Sequence, residues 1–418
     1  MNIKTVLKSS VAATALFAFA TPMSTTAMAA DDTFSSGQKT KLVMSGYVGR
    51  AIWHADDGTS DKTFQSGMPA SPSRIRWVAS GTLNDNITAG ATMELSMPES
   101  QTEGSATLNG AVDPTVGGVD GADNAAWGIR HEYVWVNHKK FGKLSLGQTA
   151  VASASRGEIS ANGTDYSRSG RNYGRGITFV NTTAAANAVS TNTVGAVFGD
   201  LDVSRTDVLR YDTPTFLGAR ASIARHHDSD VSVGLNYGGK FGGFAVAAGA
   251  GYINQNGSST SSNFIAMGSI SVLHDSGLNV SYQTGKQNFS GPQSKSNQAS
   301  SLSATVVDVA EDANNLGGRD DPYFHGVQLG YRAAKLVGVG GTNFALTWQS
   351  TQNLKENDGD ATSWSIRVQQ AFTSLGATMA LSYQRYSYDS EGEVTVGTKI
   401  NEDYDDIDVI ALATTFNF

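Results

Sequence analysis

Between Asn86 and Met97 apolar and polar residues alternate without a break. Ile87, Ala89, Ala91, Met93, Leu95 and Met97 share one face, and Thr88, Gly90, Thr92, Glu94 and Ser96 share the other. A period of two marks an extended strand with one greasy and one wet side. The pattern recurs over Ser73–Leu83, Val231–Tyr237, Phe244–Tyr252, Phe264–Val272 and Leu278–Tyr282, and again over Tyr323–Tyr331, Phe344–Trp348, Trp364–Phe372 and Met379–Tyr383. A soluble β-sandwich alternates too, so the connections have to decide.

The connections alternate strictly between long and short. Asp56–Pro72, Pro98–Ala125 and Thr149–Ser204 are long, and Asn84–Asp85, Lys139–Gly142 and Thr213–Leu217 are short; the order continues to Ser387–Asp406. Short turns on one side and long loops on the other are the habit of membrane β-barrels. This spacing predicts sixteen antiparallel strands, the first at Lys41–Trp53, with both ends of the barrel on the short-turn side. An even count lets the last strand close on the first and removes the sheet edges. Beyond the first 30 residues no run approaches 18 apolar residues, so helical spans are excluded, whereas barrel strands need only ~9 to 11 residues.

Composition agrees with one closed unit. The 46 Gly and eight Pro are scattered rather than gathered into a linker, and 39% hydrophobic residues suffice for a wall that is apolar on one side only. Residues 1–29 carry Lys4 and Lys8, an apolar run Val11–Ala20 and then Ala27-Met28-Ala29, the order of a cleavable secretory signal peptide. The expected mature unit is 30–418, with 149–204 as an inward loop. Losing Lys4 and Lys8 takes the net charge from −8 to about −10, and an acidic chain is a poor non-specific binder of nucleic acid. With no Cys, disulfides and thiolate chemistry are excluded.

Several stretches then resemble the general porins of Gram-negative outer membranes, especially their alphaproteobacterial branch. They are Ser73-Arg74-Ile75-Arg76-Trp77 through Gly81-Thr82-Leu83, Arg130-His131-Glu132-Tyr133-Val134 running to Phe141-Gly142 and Leu146-Gly147-Gln148, and Val208-Leu209-Arg210-Tyr211-Asp212-Thr213-Pro214. The tail from Ile407, with Ile410, Leu412, Phe416 and Phe418 on one side, resembles the assembly signal of outer-membrane barrels. The resemblance implies a homotrimer of sixteen-stranded barrels in outer-membrane lipid and lipopolysaccharide, inserted by the barrel-assembly machinery. It also implies a third loop folded inward to narrow each pore. Glu132 and Trp135 depart from the small residues usual in the family.

Strand parity adds the chemistry. If Ile75 and Trp77 face lipid, Arg74 and Arg76 face water, because an Arg at the bilayer midplane costs ~2 to 4 kcal/mol. Arg130 and Glu132 turn inward if Ile129, Tyr133 and Trp135 face out, and Arg210 turns inward if Leu209 and Tyr211 do. Arg74, Arg130 and Arg210 match motif arginines that the resemblance assigns to a basic constriction wall, with Arg50, Arg220, Arg367 and Glu94 as further lumen candidates. On the third loop, Glu158 and Asp165 could oppose that wall and set a transverse field. Arg168, Arg171 and Arg175 on the same loop either pair with those acids or make a positive eyelet that favours anions; the sequence leaves both open.

Other features carry less. His226-His227-Asp228 reads as a solvated loop tip, and the acidic stretches at 308–321, 357–360 and 402–408 offer at most loose Ca²⁺ ligands, so no cofactor is expected. The leading function is a passive diffusion channel for small hydrophilic solutes and ions. A substrate-selective porin for sugars, phosphate or carboxylates would need an aromatic or specific site in the lumen. An outer-membrane hydrolase would need a Ser, His and Asp set, and a surface adhesin would need large external domains.

Overall fold

In a computed structural model, described for residues 34–35, 40–68, 72–97, 108, 127–164, 173–183, 188–199, 201–203, 205–227, 229–255, 262–289, 321–334, 336–355, 358–395 and 398–418, sixteen antiparallel strands close into a barrel. They are β1 (Thr40–Asp56), β2 (Arg74–Asn84), β3 (Ile87–Ser96), β4 (Gly128–His138), β5 (Gly142–Ala150), β6 (Arg205–Asp212), β7 (Ala219–His226) and β8 (Val231–Phe241). Then follow β9 (Phe244–Asn254), β10 (Ser262–His274), β11 (Leu278–Phe289), β12 (Tyr323–Ala333), β13 (Thr342–Gln352), β14 (Asp360–Phe372), β15 (Ala377–Thr395) and β16 (Ile407–Asn417).

Closure falls on β1. Its lower half pairs with β2, Thr40–Tyr47 against Gly81–Arg74, and its upper half with β16, Tyr47–Asp56 against Asn417–Asp408. The two pairings close the wall through β1, as a bilayer demands of a spanning sheet. Ile52, Leu235, Ile270, Leu346, Ile366, Leu381 and Leu412 are exposed on the outer face, while Ser232, Ser269, Gln283, Gln349, Ser365 and Gln384 are buried on the inner one. In a soluble protein that arrangement would be inside out; in lipid it is the stable one.

Two expected loops contain strand. β15 runs on to Thr395 and pairs with a short strand Thr398–Asp403, and Asp61–Ser66 pairs back onto β1. The reason lies inside the barrel, where both extensions are covered. Trp53, Phe64, Tyr386 and Tyr388 are 4% exposed or less and pack with Tyr173, Ile177, Phe179, Val194, Val197 and Phe198 of the loop after β5. Trp53 stacks on Phe64 with ring centroids 4.1 Å apart and donates its indole N–H to Ser66 Oγ at 3.0 Å. An apolar core therefore fills one side of the lumen.

The loop after β5 reaches that core along a polar track. Between residues 151 and 164 it lies on the inner faces of β8 to β14. The Ala152, Ile159 and Ala161 amides donate to Ser232, Ser269 and Ser271 Oγ at 3.0, 2.9 and 2.9 Å. Ser160 Oγ donates to Gln328 at 2.7 Å and Asn343 to the Gly163 carbonyl at 3.0 Å. Buried backbone groups must be paired, and here the wall's serines, glutamine and asparagine supply the partners.

Candidate functional site

Away from this track lies the wall from β2 to β5, and there charge accumulates. Alternation puts Arg74 and Arg76 on the inner face of β2, with Glu94 of β3 directly opposite Arg76. Glu94 is 1% exposed and accepts from three guanidinium groups: Arg74 Nη1 at 3.4 Å, Arg130 Nε at 2.8 Å, and Arg76. Arg74 also donates to the Pro72 carbonyl at 3.1 Å and lies over the Tyr47 ring, 4.9 Å from its centroid. Arg205, the first residue of β6, is close enough to Arg130, Arg74 and Glu94 to feel their charges. Three guanidinium groups thus surround one carboxylate, and Arg205 lies within electrostatic reach of it and of Asp202.

Arg130 reaches this cluster because the wall is irregular. Glu94 pairs with His131 and Leu95 with Ile129, so Arg130 is the extra residue of a β-bulge. The bulge shifts the parity of everything after it. Ile129 faces out, but so do Val134 and Val136, 56% and 50% exposed. Glu132, opposite the outward Met93, lies on the outer face, and Tyr133 and Trp135 turn into the lumen. The expected inward Glu132 and outward Tyr133 and Trp135 are corrected on this ground.

Arg210 turns inward as parity requires. It donates to Asp212 Oδ1 at 2.7 Å and to the Ala150 carbonyl at 2.8 Å, and Ser222 Oγ donates to the same Asp212 oxygen at 2.6 Å. From the loop, Arg156 donates to the Ala154 carbonyl at 2.7 Å. Burial, and then repulsion from Arg210 and Arg220, lowers its pKa to about 10, so it stays charged at neutral pH.

The remaining candidates scatter. Arg220 and Arg367 share the inner face, Arg367 being 2% exposed and 3.4 Å from Gln369 Oε1. Arg50 is exposed on the outer face between Val48 and Ile52, a correction to its expected lumen position, because β1 keeps unbroken parity from Met44 to Ile52. Glu158 is buried on the polar track and Arg175 half-buried beside Gly195, whose amide donates to its carbonyl at 2.8 Å. Asp165, Arg168 and Arg171 lie outside the described residues. Sequence reasoning missed Arg205 and Arg156 as members of the charged wall, and missed Lys143, whose ammonium lies 5.2 Å and 5.0 Å from the ring centroids of Tyr133 and Trp135. The bulge hid the last group; nothing local marks it.

Guanidinium groups stay charged at any physiological pH and hold several partners at once. A wall of them beside one neutralised carboxylate attracts anions and orients polar solutes. Among the described residues no three acidic or histidine side chains converge as metal ligands.

A family model described as Gram-negative porin matches residues 12–391. No curated protein sequence matches the chain. Among solved structures, OmpT, an outer membrane protein of Vibrio cholerae, aligns at 12% identity and TM-score 0.54 over 93% of this chain and all of that one. An anion-selective porin from Comamonas acidovorans aligns at 12% identity and TM-score 0.53 over 91% and 100% of the two chains. OmpF of Salmonella typhi, in complex with daunomycin, aligns at 13% and 0.51 over 92% and 100%. These likenesses speak for the fold.

Proposed function

Because the chain belongs to the Gram-negative porin family and forms a passive outer-membrane channel for small hydrophilic solutes, we propose that its pore prefers anions and that it works as a homotrimer. The observation that carries the first part is the convergence of Arg74, Arg76 and Arg130 on Glu94, with Arg205 in reach. Glu94 and Asp202, the two carboxylates in reach, do not balance four guanidinium groups. The acidic sum of the whole chain does not decide selectivity, since exposed charges beyond a Debye length of ~10 Å at 0.1 M salt are screened from a passing ion. The test is a reversal potential across a planar bilayer under a KCl gradient. A potential of the sign set by chloride is expected, and one set by potassium would overturn the proposal.

The trimer is supported by the outer face. Tyr282, Trp348 and Trp364, all at least 38% exposed, follow one line of the register from β11 to β14, the kind of aromatic row that barrels place at the lipid headgroups. On β4, β5 and β6 the upper outward positions instead hold Glu132, Gln148 and Asp207, set directly opposite one another. A polar row suits a surface covered by protein better than one covered by acyl chains. Mass measurement in mild detergent should give three chains, with conductance closing in three steps; a lone chain would refute it.

A further inference from the structure

The bulge at Arg130 leaves a strip of lumen wall that the arginine cluster does not use. One inward position below Glu94 and His131, Thr92 stands opposite Tyr133, and one further, Gly90 stands opposite Trp135. Both rings are half-buried on the lumen side. The indole lies across Gly90, where an added Cβ would come within 2.7 Å of Trp135 Cζ2 and 2.2 Å of the Ala79 carbonyl, so a glycine there lets the ring lie against the wall. His131 packs edge-on to Tyr133 at 6.0 Å, and the Lys143 ammonium lies over both rings. Just above, the Arg76 side chain is 42% exposed despite its bond to Glu94.

Two rings and a lysine facing water are not needed to pass small ions, and an indole turned away from lipid forgoes the transfer free energy that the outer face offers. We propose that this strip is a binding subsite for planar aromatic anions, the simplest being benzoate. The solute ring stacks on Trp135 and Tyr133, Lys143 swings from the ring faces to the carboxylate, and Arg76 draws that carboxylate from above. A cationic solute meets Lys143 and the arginines as like charges, and a neutral sugar leaves them unused. The inference rests on the open, anion-preferring channel proposed above and names the solute class it retains.

The test uses the full-length mature protein in a planar bilayer, reading chloride current while benzoate, cyclohexanecarboxylate or glucose is added. The two acids share charge and near-equal size, so only stacking separates them. Aromatic stacking should let benzoate block at a roughly three- to ten-fold lower concentration than cyclohexanecarboxylate. Trp135→Leu should close that gap, and Trp135→Phe should keep part of it. Equal block by the two acids in the unmutated channel, or glucose blocking as well as benzoate, overturns the subsite while leaving the channel standing. The absence of any conductance step overturns the channel reading and this inference with it.

Discussion

The Phe418 amide donates to the Gly46 carbonyl at 3.1 Å, and the Gly46 amide donates back to the Phe418 carbonyl at 2.9 Å. The Phe418 ring occupies the outward space beside Gly46, where an added Cβ would stand 2.8 Å from Cζ and 2.5 Å from the Arg74 carbonyl. Gly46→Val should therefore strain the β1–β16 seam by ~1 to 3 kcal/mol, the usual cost of overpacking. Urea titration in detergent, followed by loss of heat-resistant migration, should show a lower midpoint. An unchanged midpoint would mean that the seam has slack.

Glu94→Gln should sharpen anion preference. It removes the one negative charge among Arg74, Arg76 and Arg130. A unit charge ~4 Å from an ion in water is worth about 1 kcal/mol, which sets a shift of up to about five-fold in the chloride-to-potassium permeability ratio. Reversal potentials of the two proteins under one gradient give the answer, and a shift toward potassium would contradict the assignment.

Selectivity should also fade with salt. The Debye length falls from ~10 Å at 0.1 M to ~3 Å at 1 M. At a fixed ten-to-one gradient, the reversal potential should shrink as both sides become more concentrated. A constant potential would point to sieving by size instead of charge.

The polar track should govern how steadily the pore conducts. Ser269 Oγ accepts from the Ile159 amide and donates to the Arg156 carbonyl at 2.6 Å, and Ser271 Oγ accepts from the Ala161 amide. Ser269→Ala with Ser271→Ala leaves these buried groups unpaired, at a cost of ~1 to 3 kcal/mol each. Single-channel records should show greater open-channel noise. Records as quiet as the parent's would show that the loop is held elsewhere.

Much of the barrel was legible from alternation alone, because the lipid-facing side of Ile87–Leu95 admits only apolar residues and the lumen side only polar ones. The inward Arg74, Arg76 and Arg210 followed by the same argument. It held for Arg130 but failed just past it, since one extra residue inverts a face without leaving a compositional trace, and Glu132, Tyr133 and Trp135 changed sides. It failed at Arg50 because alternation was not followed along β1, where Met44, Val48 and Ile52 share the outward face with Arg50. The inner core was hidden for a third reason. Trp53, Tyr386, Tyr388, Ile407 and Val409 are apolar on a side that should be wet, and only the long loop, whose course no local pattern reveals, explains them.

That core couples two events during folding. It joins Ala51 and Trp53 at one end of the barrel's sequence, Tyr173 to Phe198 in the middle, and Val409 to Ala413 at the other end. The loop's apolar residues have no complete seat until β1 has met β16, yet a closed barrel gives a folded loop little room to enter from outside. Zipping of the seam and collapse of the plug must therefore occur together. A chain arrested with the seam open would expose Phe179 and Phe198 to water, which makes the half-built barrel the state that quality-control proteases would meet.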